Sequence, residues 1–226
     1  MRIMRHNCFA QAIRLLAVLL LFSVPSAASP LKLSADGTSI DESGLIVTGV
    51  FSGCFYVETV NRSSGIRVEQ STPVVRRGQS VRVAGTMRTN SDGERYVEAT
   101  QVTTQGFGSI AALKVNERTL GGGDWYYNPI NGAGQQGTKS GFGMNNIGML
   151  IKVIGTVTSS GTDYITVDDG SCLQGDTPGV TGVKVILPSG AEPLPNGTMV
   201  SVIGISSCYK SGGDIYSRII LIPSLF

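Results

Sequence analysis

Histidine is nearly absent. The one example in 226 residues, His6, lies in an N-terminal segment that reads as a removable targeting signal, so the chain beyond residue 28 has none. Without imidazole there is no Ser-His-Asp or Cys-His activation of a nucleophile, and no histidine-based metal site. Cysteine is scarce too. Beyond Cys8 there are Cys54, Cys172 and Cys208, spaced too widely for a compact metal knuckle. Long apolar runs are missing apart from residues 15–24, and ten residues fall well short of the roughly 20 that a membrane-spanning helix needs. No membrane span is expected in the mature chain.

The first residues have the layout of a secretory signal. Arg2, Arg5 and Arg14 make a positive region, the apolar run follows, and Ser26-Ala27-Ala28 supplies small residues for cleavage after Ala28. The alternative for residues 1–28 is a buried N-terminal helix. On the first reading the protein is exported, to a periplasmic, cell-surface or extracellular location. Removing three arginines leaves 15 basic against 16 acidic residues, a net charge of −1. The basic footprint typical of nucleic-acid binders is therefore lacking overall. The halves differ, however: residues 45–104 carry seven arginines against five acids, and residues 147–226 carry four basic residues against six acids.

What is present is a repeat. Gly49 opens GVFSGCFYVETVNRSSGIRV, and Gly155 opens GTVTSSGTDYITVDDGSC, which leads after a longer loop to Gly182-Val183-Lys184-Val185. In this alignment Tyr56 matches Tyr164. Further on, RGQSVRVAG from Arg77 matches NGTMVSVIG from Asn196, and each is followed by a polar loop and a strand carrying Tyr96 or Tyr216. Alternation and β-branched content place strands at 45–52, 54–60, 65–69, 80–88 and 95–103, then at 150–159, 163–168, 183–187, 199–207 and 214–222.

The Gly-x-Arg/Lys-Val and Gly-x-x-Val-x-Val-x-Gly strands resemble those of bacterial OB-fold domains, over residues 45–104 and 147–222. The join from Leu120-Gly121-Gly122-Gly123-Asp124 to Leu150 is similar to that of exported tandem OB-fold proteins of unassigned function. The resemblance implies an all-β fold of two five-stranded OB-type Greek-key barrels joined by a long Gly-rich linker. The expected layout is a signal at 1–28, an N-terminal extension at 29–44, barrels at 45–104 and 147–226, and a linker at 105–146. Residues 105–149 hold 11 glycines and the only tryptophan, Trp125.

Period-2 alternation turns Phe55, Val57, Ile66 and Val68 inward, and likewise Ile165, Val167, Val183 and Val185. Tyr56 and Arg67 are then left on one outer face, and Tyr164 and Lys184 on the other. An aromatic ring beside a cation can stack on a base or sugar and hold an anion. Tyr96 and Tyr216 extend these faces. Trp125 either caps a ligand groove or docks the linker. Cys172 and Cys208 are expected at the same barrel end, bridged by a disulfide, with Cys54 left as a free thiol.

The expected function is a non-enzymatic binding or adaptor module for a protein or glycan, with no cofactor and no metal. Single-stranded nucleic acid on the same faces, or a structural cell-surface role, are the alternatives. The neighbouring Asp168 and Asp169 offer paired carboxylates for acid-base chemistry, but adjacent acids at a strand end more often form a solvated turn.

Overall fold

The computed structural model describes residues 31–175, 177–212 and 215–223, and the side chains at 215 and 216 lie outside that description. The expected signal at 1–28 falls outside the described residues. The chain is all-β, with two sheets. The strands are β1 (Ser39–Phe51), β2 (Cys54–Glu58), β3 (Gly65–Glu69), β4 (Gln79–Thr89), β5 (Arg95–Phe107), β6 (Leu113–Lys114), β7 (Leu150–Ser160), β8 (Tyr164–Asp168), β9 (Val183–Ile186), β10 (Met199–Gly212) and β11 (Ile215–Leu221). No helix among the described residues is long and apolar enough to cross a membrane.

The first sheet runs β1-β2-β3-β5-β4 and closes through β1–β4 pairing. The second runs β10-β11-β9-β8-β7-β6, and β10–β7 pairing closes the same five-strand ring, with the short β6 beside β7. In each ring the third and fifth strands are parallel and the other ring pairs antiparallel. The inward set is the one that alternation predicts. Phe55, Val57, Ile66 and Val68 fill the first core, and Ile165, Val167, Val183 and Val185 the second. Each such side chain, fully buried, contributes about 1.5–3 kcal/mol of hydrophobic stabilisation.

Two pairs of glycines mark the repeat in the backbone. Gly78 and Gly197 both sit at φ +85°, where L side chains are strained. Their N–H groups donate to Val47 and Val157 respectively, each at 2.8 Å. Gly85 and Gly204 lie against the carbonyls of Glu98 and Leu221, where a Cβ would approach within 2.2 and 2.6 Å.

The tyrosine alignment needs correcting. Val47 pairs with Val57 and Val157 with Val167; a bulge follows in each first strand, after which Gly49 pairs with Tyr56 and Ser159 with Thr166. The positional counterpart of Tyr56 is therefore Thr166, and Tyr164 stands two residues before it. Period 2 keeps both tyrosines on the outer face despite the shift. Arg67 and Lys184 do correspond, opposite Tyr56 and Thr166.

β1 starts within the segment expected as an N-terminal extension. Residues 39–42 pair with β4, ahead of a register shift before Leu45, and Ile40 joins the core. The polar run Asp41-Glu42-Ser43-Gly44 at this irregularity hides the strand from any test of apolar alternation.

Residues 105–149 are ordered by contacts with both sheets, although stretches such as 126–133 stay largely exposed. β5 extends into them to Phe107; β6, a 3-10 turn at Glu117–Thr119 and a bridge between Trp125 and Gln135 follow; Leu120, Ile147 and Met149 are buried. The Gln135 side chain donates to Gly93 O and accepts from Arg95 N, which ties the segment to the first sheet. Gly148 N donates to Ser206 O at 2.7 Å, tying it to the second. The glycines serve close approach: a Cβ on Gly65 would lie 2.4 Å from Gly148 O.

Candidate functional site

The two outer faces have different surroundings. On the second sheet, Tyr164 and Thr166 from β8, Lys184 from β9 and Arg218 from β11 face an open cleft of about 270 Å³. The β8–β9 loop forms one wall with Leu173, Gln174 and Thr177, and Lys139 and Ser140 of the interconnecting segment edge it. Lys184 Nζ stands 4.3 Å above the Tyr164 ring centroid, within cation–π range, so the expected pair is assembled. Arg218 is almost fully buried. It donates to the carbonyls of Glu117 at 2.8 Å and Lys139 at 2.6 Å, which fixes the guanidinium and also the loop edge. Lys139 and Lys184 bring positive charge to the described lining, where Arg218 is already engaged. Lys139, Tyr209 and Arg218 as lining residues were not singled out from sequence. Arg218 has alternation parity as its only signal there, and Lys139 has none.

The first sheet's equivalent face is covered. Tyr56, expected as an exposed ligand contact, is 0% exposed. It points out of its own sheet as predicted, but into a cluster with Cys54 and with Leu150 and Ile205 of the second sheet. Phe51 packs edge-on at 5.6 Å, and the Tyr56 hydroxyl donates to Glu94 Oε2 at 2.9 Å. The tyrosine is a docking residue between the sheets. Arg67 pairs with Glu69 at 3.3 Å and lies 3.9 Å from Glu94. Half-buried Tyr96 is its register partner on β5. Two acids thus partner the cation on this face.

Several ionisable groups are enclosed at this junction. Burial lifts Glu94 to about 7, opposed by Arg67, and lifts Glu58 to about 7, opposed by the Leu150 amide. Burial also lowers Lys32 to about 8, and its ammonium donates to Ile147 O. Glu58 accepts from Leu150 N at 2.5 Å across the junction.

The expected Cys172–Cys208 disulfide is not formed. Cys172 is exposed, whereas Cys208 is buried and lies 3.3 Å from Asp92 O. β10 continues to Gly212, which puts Cys208 inside a strand facing the junction and away from the end loop. Denaturing thiol titration of the chain beyond residue 28 should return three thiols, where the disulfide reading gives one. Burial raises the thiol pKa of both Cys54 and Cys208, so under native conditions Cys172 should react first.

Trp125 does not line the cleft. It sits half-buried in its small bridge, edge-on to the exposed Tyr126 at 5.4 Å, which fits the docking alternative. Tyr216 pairs with Lys210 through its backbone, and its side chain lies outside the described residues.

A carboxylate group stands at the end of β8. Oxygens of Glu117, Asp168 and Asp169 all lie within 4.8 Å of one another. Glu117 and Asp169 exchange bonds, each accepting from the other's backbone N–H at 2.7–2.8 Å. Burial, with Asp169 and Asp168 adjacent, pushes Glu117 up to about 8. Sequence reading found the two aspartates but not Glu117, about 50 residues distant. No protein-family model, curated protein or solved structure matches the chain.

Proposed function

We propose that this chain is an exported, non-enzymatic binding module of two OB-type barrels that presents one working face, the cleft of the second barrel, to an anionic glycan. The ring order β1-β2-β3-β5-β4, repeated as β7-β8-β9-β11-β10, supports the barrel assignment. The Lys184–Tyr164 stack in a cationic cleft carries the ligand reading. An ammonium held over an aromatic face presents charge beside an apolar ring edge, a match for a carboxylate or sulfate on a sugar. The hydroxyls of Thr166 and Thr177 and the side-chain oxygen of Gln174, whose nitrogen is held by Thr177 O and Val180 O, supply partners for sugar hydroxyls. With Tyr56 covered, the two faces do not join into a track for a nucleic-acid strand, and Lys184 already occupies one side of the Tyr164 ring.

Calorimetric titration with a heparin hexasaccharide, an oligogalacturonate, a neutral cello-oligosaccharide and a single-stranded oligo-dT tests this. An acidic oligosaccharide should bind, and Lys184→Ala should weaken it by about tenfold. Preference for the neutral sugar, or tight and steeply salt-dependent oligo-dT binding without acidic-sugar binding, would overturn the assignment. Retained affinity in Lys184→Ala would move the site elsewhere.

A further inference from the structure

We propose that Glu117, Asp168 and Asp169 form a binding site for a calcium-class divalent cation, joining the segment between the sheets to the loop that walls the cleft. The three carboxylates come from two distant parts of the chain, and their candidate ligand oxygens lie within 4.8 Å of one another. Two oxygens bound to one Ca²⁺ at about 2.4 Å can be at most about 4.8 Å apart, so this grouping can close on one ion. Ca²⁺ accepts such a flexible carboxylate set more readily than Mg²⁺, which demands near-octahedral geometry and gives up water reluctantly. The ligand set is oxygen only, which suits a hard cation and not zinc or copper.

A second observation comes from Glu117 itself. Its side chain is 0% exposed; Oε1 accepts from Asp169 N, while Oε2 is enclosed with no hydrogen-bond partner. A buried carboxylate oxygen left unpaired is costly, and a bound cation removes that cost. Backbone amides pre-set the aspartates. Asp168 Oδ1 accepts from Gly170 N and Cys172 N, and Asp169 Oδ1 accepts from Ser171 N, so the turn is formed before any ion arrives. Two arginines flank the site: Arg118 donates to Ser171 O and Arg218 to the Glu117 carbonyl, and their charges favour the ionised forms of Asp169 and Glu117. Since the loop from Asp169 runs on to Leu173, Gln174 and Thr177, an ion here would brace the cleft wall. The site does not depend on the glycan reading.

The test uses the full chain, stripped with EDTA and dialysed, at constant ionic strength. Calorimetry with CaCl₂ should show saturable binding of about one ion per chain, with a dissociation constant on the order of 10⁻⁴–10⁻³ M or tighter. Scanning fluorimetry should show a rise in Tm that EDTA reverses, with MgCl₂ weaker. Glu117→Gln keeps the shape and the bond to Asp169 N but removes the charge. It should keep or raise the ion-free Tm while weakening calcium at least about tenfold. Asp168→Asn is the second variant, for use if Glu117→Gln fails to fold. No heat and no Tm shift at millimolar calcium, or equal calcium response in the variants, would overturn the site.

Discussion

Tyr56→Ala should lower the thermal midpoint sharply while leaving the second-sheet cleft intact. The side chain is wholly enclosed among Phe51, Leu150 and Ile205, and its hydroxyl is bonded to a carboxylate that is itself buried. Truncating a buried aromatic costs about 3–5 kcal/mol, which for a chain of this size is a fall of roughly 6–20 °C. Tyr56→Phe retains the packing and loses only the bond to Glu94, and should cost about 1–3 kcal/mol. Had Tyr56 been an exposed ligand contact, as the strand pattern suggests, alanine would leave stability almost unchanged and abolish binding. Thermal unfolding and ligand titration on the same variant separate the two roles.

A second large effect concerns pH. Glu58 is 1% exposed and held near 7 in the fold, against 4.5 for a free carboxyl. Its folded pKa is raised, so the native state binds the proton more tightly than the unfolded chain does. Stability from this group is complete below pH 4.5 and is lost as pH rises towards 7, by on the order of 2–3 kcal/mol. Glu94 acts in the same direction and window. The groups facing Glu58 are Arg62 and Lys32, and Lys32, lowered to about 8, stays charged throughout that range. Urea midpoints should therefore fall between pH 5 and pH 7.5, and Glu58→Gln, which retains an acceptor for Leu150 N, should flatten that fall. A wild-type midpoint higher at pH 7.5, or a variant with an unaltered slope, would show that the junction carboxylates are ionised at no cost.

Particular residues show how much was legible beforehand. The inward positions 55, 57, 66 and 68, and 165, 167, 183 and 185, are all in place, because side-chain alternation is a local rule that the pleat enforces wherever one face is buried. Gly78 and Gly197 were visible as matched positions for the same local reason, as each holds a turn at positive φ. Lys184 beside Tyr164 was legible too, although for a partly mistaken reason. The alignment that chose them misplaced Tyr164 by two residues, and only the evenness of the shift kept it on the correct face. The start of β1 was hidden because a register shift and a polar run interrupt alternation, although the strand continues.

The residues by themselves determined the β character, the two matched units and their interiors, since each depends on composition or on neighbours a few positions apart. Tertiary structure alone decided which outer face stays open. Tyr56 and Tyr164 read alike in sequence, yet the second sheet lies on the first, and the glycines of residues 105–149 let the backbones approach closely enough to seal it. The same long-range packing brought Glu117 to Asp168 and separated Cys172 from Cys208, because a contact across some 40 or 50 residues is set by how the sheets dock, and no local pattern encodes it.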